Sequence, residues 1–419
     1  MSTTTEPFVI VGAALAGATA AKTLREEGYD GAIRLFGAEE HLPYIRPPLS
    51  KGFLAGADDR ASIDVLDAAW YRDNDVDLRL RTRVVRLDTN SASVVDEQGE
   101  ETRYERLLLA TGSQPRILTI PGSDAPNVHY LRTVDDSIRL REAIIAGGRR
   151  LVLIGSGWIG MEVAATARTL GNEVTILERD PIPLAIALGD ELGTYFADLH
   201  QSHGVRIRTR MTVDAIETSD GVATGVRLGD GEIVPADLIL IGVGAVPQIG
   251  LATDAGLRTG NGVETDESLR TSDARVFAAG DIANAYHPLA QQRLRSEHWA
   301  NALTGGAVAA RAMLGQTAVH DSLPYFYTDQ FDLGMEYSGF APLTKDADIV
   351  YRGDRASGAF IAFWLVGSRV VAGMNVNTWD VNEAIQALIR DRVAVDRRAL
   401  QNPDVPLDHV AAVTEGIGS

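Results

Sequence analysis

Leu151-Val152-Leu153-Ile154-Gly155-Ser156-Gly157-Trp158-Ile159-Gly160 is an apolar run that ends in three spaced glycines. Four apolar residues before a glycine turn read as a strand buried on both faces. Met161 to Leu170 then has helical character, Gly171 can stop it, and Glu173 to Leu177 gives a further strand. Strand, tight turn, helix and strand make a βαβ unit. Its glycines let backbone N–H groups approach a pyrophosphate, and the helix N-terminus adds partial positive charge. Gly155, Gly157, Trp158, Ile159 and Gly160 are the expected contacts. Glu178 ends the second strand, where a carboxylate accepts from a ribose 2′-OH and repels a 2′-phosphate. That favours NADH over NADPH, with Arg179 next in the chain working against the preference.

The same order occurs near the N-terminus. Phe8-Val9-Ile10-Val11 is apolar, Gly12-Ala13-Ala14-Leu15-Ala16-Gly17 is the turn, an alanine-rich helix pattern runs through Leu24, and Ile33 to Phe36 is the next strand. Ala14 occupies the middle glycine position, and its methyl crowds a pyrophosphate approach. The expected contacts are Gly12, Ala14, Leu15, Ala16 and Gly17, with Glu39 about 20 residues further on as the ribose ligand and Glu40 as its rival. One such turn is a weak signal, whereas two in the strand–turn–helix setting point to two nucleotides.

Composition bounds the rest. The 419 residues are enough for two or three domains. Glycine, 41 residues, is about 10% against a usual ~7%, and it has no collagen-like period. The net charge is −18, which argues against nucleic acid or an anionic membrane as partner. There is no cysteine, which removes thiolate zinc sites, protein-ligated iron–sulfur clusters and cysteine nucleophiles. No apolar stretch approaches the ~20 residues of a membrane span. A cytoplasmic location is expected. His200 and His203, three apart, have no third ligand; a solvated helix face accounts for them, and no metal site is expected.

Further segments extend the pattern in order. They are Arg46-Pro47-Pro48-Leu49-Ser50-Lys51, Leu107-Leu108-Leu109-Ala110-Thr111-Gly112, Leu238 to Pro247 with its turn at Gly244, Val276-Phe277-Ala278-Ala279-Gly280-Asp281, Glu297-His298-Trp299, and Pro324 to Gln330. With the two βαβ units they resemble the FAD-dependent pyridine nucleotide oxidoreductases that lack the redox disulfide. Within that family they resemble the NADH-dependent ferredoxin reductases of oxygenase systems. The resemblance spans roughly Phe8 to Trp379. It implies an α/β fold of glutathione-reductase-like architecture: two Rossmann-like nucleotide-binding domains, for FAD and NAD, and a C-terminal α+β domain. The implied boundaries are 1–116 with 245–322 for FAD, 117–244 for NAD(H), and 323–419 for a C-terminal interface domain.

The resemblance also implies roles. Lys51 lies near the reacting end of the flavin and pairs with Glu162 from the nicotinamide domain. Arg46, Thr111, Gly112, Gly280, Asp281, Glu297, His298 and Trp299 join the first turn around FAD. Gly244 lies along the nicotinamide. Tyr327 stands where relatives usually have tryptophan and marks the electron exit. Other departures are Gln248 for an asparagine and Ala185-Ile186 in a stretch where relatives often have arginine. The expected reaction takes hydride from NADH to FAD and passes single electrons to a small acidic [2Fe–2S] ferredoxin. Arg390, Arg392, Arg397 and Arg398 offer a basic stretch for such a partner, or a solvated face. A monomer or weak homodimer is expected. Without cysteine, dithiol chemistry is excluded. Two rivals are a peroxide-forming NADH oxidase and an NADH-sensing interaction flavoprotein of the apoptosis-inducing-factor type.

Overall fold

In a computed structural model that describes residues 6–412, the chain forms two compact units. Of these residues the first comprises 6–48, 58–114 and 245–322, and the second 49–57, 115–244 and 323–412. Leu49–Ala57, which carries Lys51, therefore packs with the second unit.

Phe8–Val11 is the middle strand of a five-stranded sheet ordered Val276–Ala278, Arg106–Leu109, Phe8–Val11, Ile33–Phe36, Val76–Arg79, all parallel. Side chains alternate across it. Phe8 and Ile10 enter a core with Ala20 and Leu24 of helix Leu15–Glu26 and Ala309 and Met313 of helix Trp299–Met313. Val9 and Val11 enter a second core with Leu87 and Val94 of a small antiparallel sheet. Both faces are covered, which explains the uninterrupted apolar strand. The two helices meet through small residues: a Cβ on Gly306 would run into the carbonyl oxygen of Ala16.

The second unit repeats the plan. Its parallel sheet runs Arg206–Arg208, Glu173–Leu177, Arg150–Ile154, Leu238–Ile241, Val128–His129. Antiparallel strands Val213–Ser219, Val222–Leu228 and Ile233–Pro235 cover one face. Within the same unit, residues 325–376 form a five-stranded antiparallel sheet ordered Tyr325–Gln330, Leu333–Gly339, Arg369–Val376, Ala359–Val366, Asp348–Asp354. Helix Asn382–Asp391 buries Ile385, Leu388 and Ile389, and Gly373 leaves room for Ile385. Among the described residues no helix is long and apolar enough to cross a membrane.

Candidate active site

In the first unit the strand Phe8–Val11 delivers its chain end to a turn that only glycine fits. Gly12 has φ +120°, and a Cβ there would strike the carbonyl oxygen of Ala110. A Cβ on Gly17 would strike the carbonyl oxygen of Gly12. Ala14 is extended at φ −121°, so alanine costs no backbone strain there. Helix Leu15–Glu26 follows with no acidic residue in its first turn, leaving its positive end and first N–H groups for an anion. Leu15 and Ala16, its first two residues, are buried. Gly280, at φ +76°, comes against Ala16, a Cβ there lying 3.2 Å from the alanine methyl, and Asp281 beside it is buried.

The structure separates the two ribose candidates. Glu40 is exposed and paired with Arg81. The Glu39 carboxylate accepts from the Tyr44 hydroxyl at 2.5 Å and from Arg46 Nη2 at 3.2 Å. Burial pulls the Arg46 guanidinium down, but Tyr44, Glu39 and Asp281 together hold it above its ordinary value. Thr111 and Gly112 are zipped to Gln248: Gln248 Nε2 donates to the Thr111 carbonyl at 3.0 Å and its backbone N–H to the Gly112 carbonyl at 2.9 Å. That gives the residue replacing asparagine a structural role. His298 caps helix Trp299–Met313, and Glu297 pairs with Arg295. Desolvation pushes His298 down to about 4 against Asp281 and Glu297, so its ring is neutral at pH 7. Trp299 Nε1 is buried with no hydrogen-bond partner among the described residues, which leaves a donor for a bound group.

The second unit holds the complete glycine turn. A Cβ on Gly155, at φ +101°, would strike the carbonyl oxygen of Gly242, and one on Gly160 would lie 2.6 Å from the carbonyl oxygen of Gly155. Gly157 instead faces open space, and helix Trp158–Thr169 starts on it without an acidic residue in its first turn. Glu178 braces this turn. Its Oε2 accepts from Ser156 N at 2.8 Å and Ser156 Oγ at 2.5 Å, and its Oε1 from Asp180 N at 2.8 Å. Arg179 points to solvent near Asp180. Gly244 has φ +102° and open space where a side chain would be. The Trp158 ring packs on Phe196 and Phe326, so only its backbone faces the turn; Ile159 is 46% exposed. In the altered stretch Ile186 is almost wholly exposed, after Leu184 at φ +57°.

Lys51 and Glu162 meet in this unit. The stiff turn Pro47–Ser50 runs into the short helix Gly52–Ala55, and Thr166 Oγ1 anchors it by donating to the Ser50 carbonyl at 2.8 Å. Lys51 Nζ donates to Glu162 Oε1 at 2.8 Å. Glu162, 6% exposed, also accepts from Thr328 Oγ1 at 2.7 Å and from Ser50 Oγ. Lys51 Nζ lies 5.4 Å from the Tyr327 ring centroid, within cation–π range. Burial, Asp329 and Glu162 all push the Tyr327 phenol up, which keeps it neutral. Burial also raises the Asp329 carboxyl, Glu162 adds to this, and Lys51 opposes it.

Spacing along the chain missed Ser50, Thr328 and Gln330, and it misplaced His200. The expected solvated face is wrong for this histidine: it is fully buried, and its Nε2 hydrogen-bonds Gln330 Oε1 at 2.8 Å. Burial pushes it to about 4. The reason is that the inner face of helix Asp190–Ser202 packs on the C-terminal sheet, while His203 at its end stacks on Phe331 with ring centroids 4.0 Å apart. In the basic stretch, Arg397 pairs with Asp348 at 3.0 Å.

Comparison with known proteins places this geometry. The family model for pyridine nucleotide-disulphide oxidoreductases matches residues 6–306, and that for the reductase C-terminal domain matches 325–411. The chain belongs to the pyridine nucleotide-disulphide oxidoreductase family. It is 38% identical to rhodocoxin reductase of Rhodococcus erythropolis, over 88% of this chain and 86% of that one. It is also 38% identical to a probable ferredoxin reductase of Castellaniella defragrans, over 97% and 99%. Among solved structures, the covalent putidaredoxin reductase–putidaredoxin complex matches with a TM-score of 0.92 and 34% identity, covering 97% of this chain and 98% of that one. As a pyridine nucleotide-disulphide oxidoreductase the chain pairs a flavin with a pyridine nucleotide. It has no cysteine, so the thiol relay that names the family has no residues here.

Proposed function

We infer that this chain is an NADH:ferredoxin reductase of an oxygenase system. Relatives matched over nearly their whole length are named as ferredoxin reductases, and one similar structure is a reductase joined to its ferredoxin. The observation that carries the reading is the buried Lys51–Glu162 pair in a chain without cysteine. It supplies a fixed cation for a hydride-transfer site, and electrons have no thiol to pass through.

The first unit takes FAD, with its pyrophosphate on Gly12, Ala14, Leu15, Ala16 and Gly17 and its ribose on Glu39. Arg46, Thr111, Gly112, Gly280, Asp281, Glu297, His298 and Trp299 complete the binding site. The open helix terminus and Trp299 Nε1, which has no hydrogen-bond partner among the described residues, fit such a group. When bound, FAD supplies the conversion from a two-electron donor to one-electron release. The second unit takes NADH on Gly155, Gly157, Trp158, Ile159 and Gly160, with its ribose at Glu178 and Gly244 beside the nicotinamide. In domain terms, 1–116 with 245–322 serves FAD, 117–244 serves NADH, and 323–419 is the interface domain. Lys51 holds positive charge at the reacting end, Glu162 orients it, and Tyr327 is the aromatic exit. The partner is a small acidic [2Fe–2S] ferredoxin, and the enzyme is a cytoplasmic monomer or weak homodimer.

Anaerobic stopped-flow spectroscopy tests this. Fast flavin reduction by NADH, slower reduction by NADPH, and rapid reoxidation by a [2Fe–2S] ferredoxin are expected. Reoxidation by oxygen alone would make it an oxidase, and reduction too slow for turnover would make it a sensor. A purified protein without flavin would overturn the reading.

A further inference from the structure

Glu162 sits at the end of a line of side chains that no nucleotide motif contains. Thr328 and Gln330 are two apart on strand Tyr325–Gln330, so they share one face, while Tyr327 and Asp329 share the other. Thr328 Oγ1 has one proton, and it is donated to Glu162 Oε1 at 2.7 Å. Its lone pairs are then left to accept, and Gln330 Nε2 donates to them at 3.1 Å. The other end of the Gln330 amide, Oε1, carries no proton, so the 2.8 Å contact with His200 Nε2 requires that nitrogen to donate. His200 is thereby held as the neutral Nε2–H tautomer. All three side chains are within 1% of complete burial. Every proton in the line points toward Glu162.

We propose that Thr328, Gln330 and His200 form a positioning chain that fixes the Glu162 carboxylate and through it the Lys51 ammonium. The proposal rests on the reading of Lys51–Glu162 as the hydride-transfer site. Hydrogen bonds aligned in one direction polarise and strengthen each other in a buried setting. A lysine tip is a flexible point charge, so its place depends on how firmly its acceptor is held. Among the described residues His200 Nδ1 is buried without a hydrogen-bond partner, a cost that an apolar side chain filling the same space would avoid.

The test uses the flavin-loaded protein under anaerobic conditions. Thr328→Val keeps the shape and removes the hydroxyl. It is expected to slow the limiting rate of flavin reduction by NADH about tenfold while the apparent Kd for NADH stays within about twofold. Thr328→Ser restores most of the rate. Gln330→Met cuts the chain one link further out and is expected to slow the same step. The double variant Thr328→Val with Gln330→Met is expected to be no slower than Thr328→Val alone, because both interrupt one line. Gln330→Met also carries the test if Thr328→Val fails to accumulate. A readout apart from turnover is the 15N spectrum of histidine-labelled protein, where His200 should carry its proton on Nε2. A His200 proton on Nδ1, wild-type rates in both single variants, or losses that multiply in the double variant would each overturn the chain. Glu162→Gln separates the two levels. If it leaves the rate unchanged, the hydride-site reading fails. If it slows the rate and Thr328→Val does not, only the chain fails.

Discussion

Lys51 and Glu162 are 14% and 8% exposed at their side chains, so water screens the 2.8 Å contact between them only weakly. Removing one partner of a buried pair leaves the other uncompensated and typically costs about 3–5 kcal/mol, whereas removing both costs much less. Glu162 keeps its Ser50 and Thr328 donors when Lys51 is lost, which places the expected cost of Lys51→Met nearer the low end, at about 2–3 kcal/mol. The double variant Lys51→Met with Glu162→Gln should recover more than half of that. Thermal unfolding of the four proteins at pH 7 measures the cycle; a loss in the double variant equal to the sum of the two single losses would show that the pair is not coupled. The residue scale is also where chain spacing runs out. The glycines announce themselves because the phosphate-binding turn is built from neighbours in sequence. Thr328, Gln330 and His200 do not, because the contact from His200 to Gln330 spans 130 residues and needs the strand and helix to be packed first.

Among elements, the two glycine turns show what a single methyl does in each setting. Gly155 is held at φ +101° against the Gly242 carbonyl, because strand Leu238–Ile241 ends directly beside strand Arg150–Ile154. Gly157 sits at φ −70° and faces open space. Gly155→Ala should therefore cost more than about 3 kcal/mol, from backbone strain and overlap together. Gly157→Ala should change stability by under about 0.5 kcal/mol yet weaken NADH binding about tenfold, since its methyl fills the space left for the pyrophosphate. Thermal unfolding together with NAD+ titration calorimetry distinguishes the two. Similar melting points and similar affinities in both variants would refute the difference. Both βαβ units were legible from the sequence for the same reason: a strand buried on both faces has no polar interruption, and the turn that follows admits few residues. The C-terminal sheet was less legible, because its strands are antiparallel neighbours in sequence matched by side-chain packing instead of a fixed glycine turn.

Over the whole molecule, stability should depend on pH through histidines buried in each unit. His200 lies in the second unit and His320, whose Nε2 donates to Asn301 Oδ1 at 3.0 Å, in the first; both are buried. Burial pushes each to about 4, with His203 adding to the effect at His200 and His287 at His320. An unfolded histidine titrates near 6.5, so between that value and about 4 the unfolded chain binds protons that the folded chain refuses. The stability these groups preserve is complete above about pH 6.5 and is lost as pH falls toward 4, by about 2 kcal/mol for each histidine at pH 5. Carboxylates held low by their partners, such as Asp237 beside Arg150, are shifted in the same direction but lose their contribution only at lower pH, below the ordinary aspartate value. The two windows are separable. Melting temperature should fall steadily from pH 7 to pH 5, before most carboxylates protonate. His200→Gln removes one titrating group, so it should melt lower than wild type at pH 7 but show a shallower decline to pH 5. A decline as steep as that of the wild type would mean that the protein takes up its protons elsewhere.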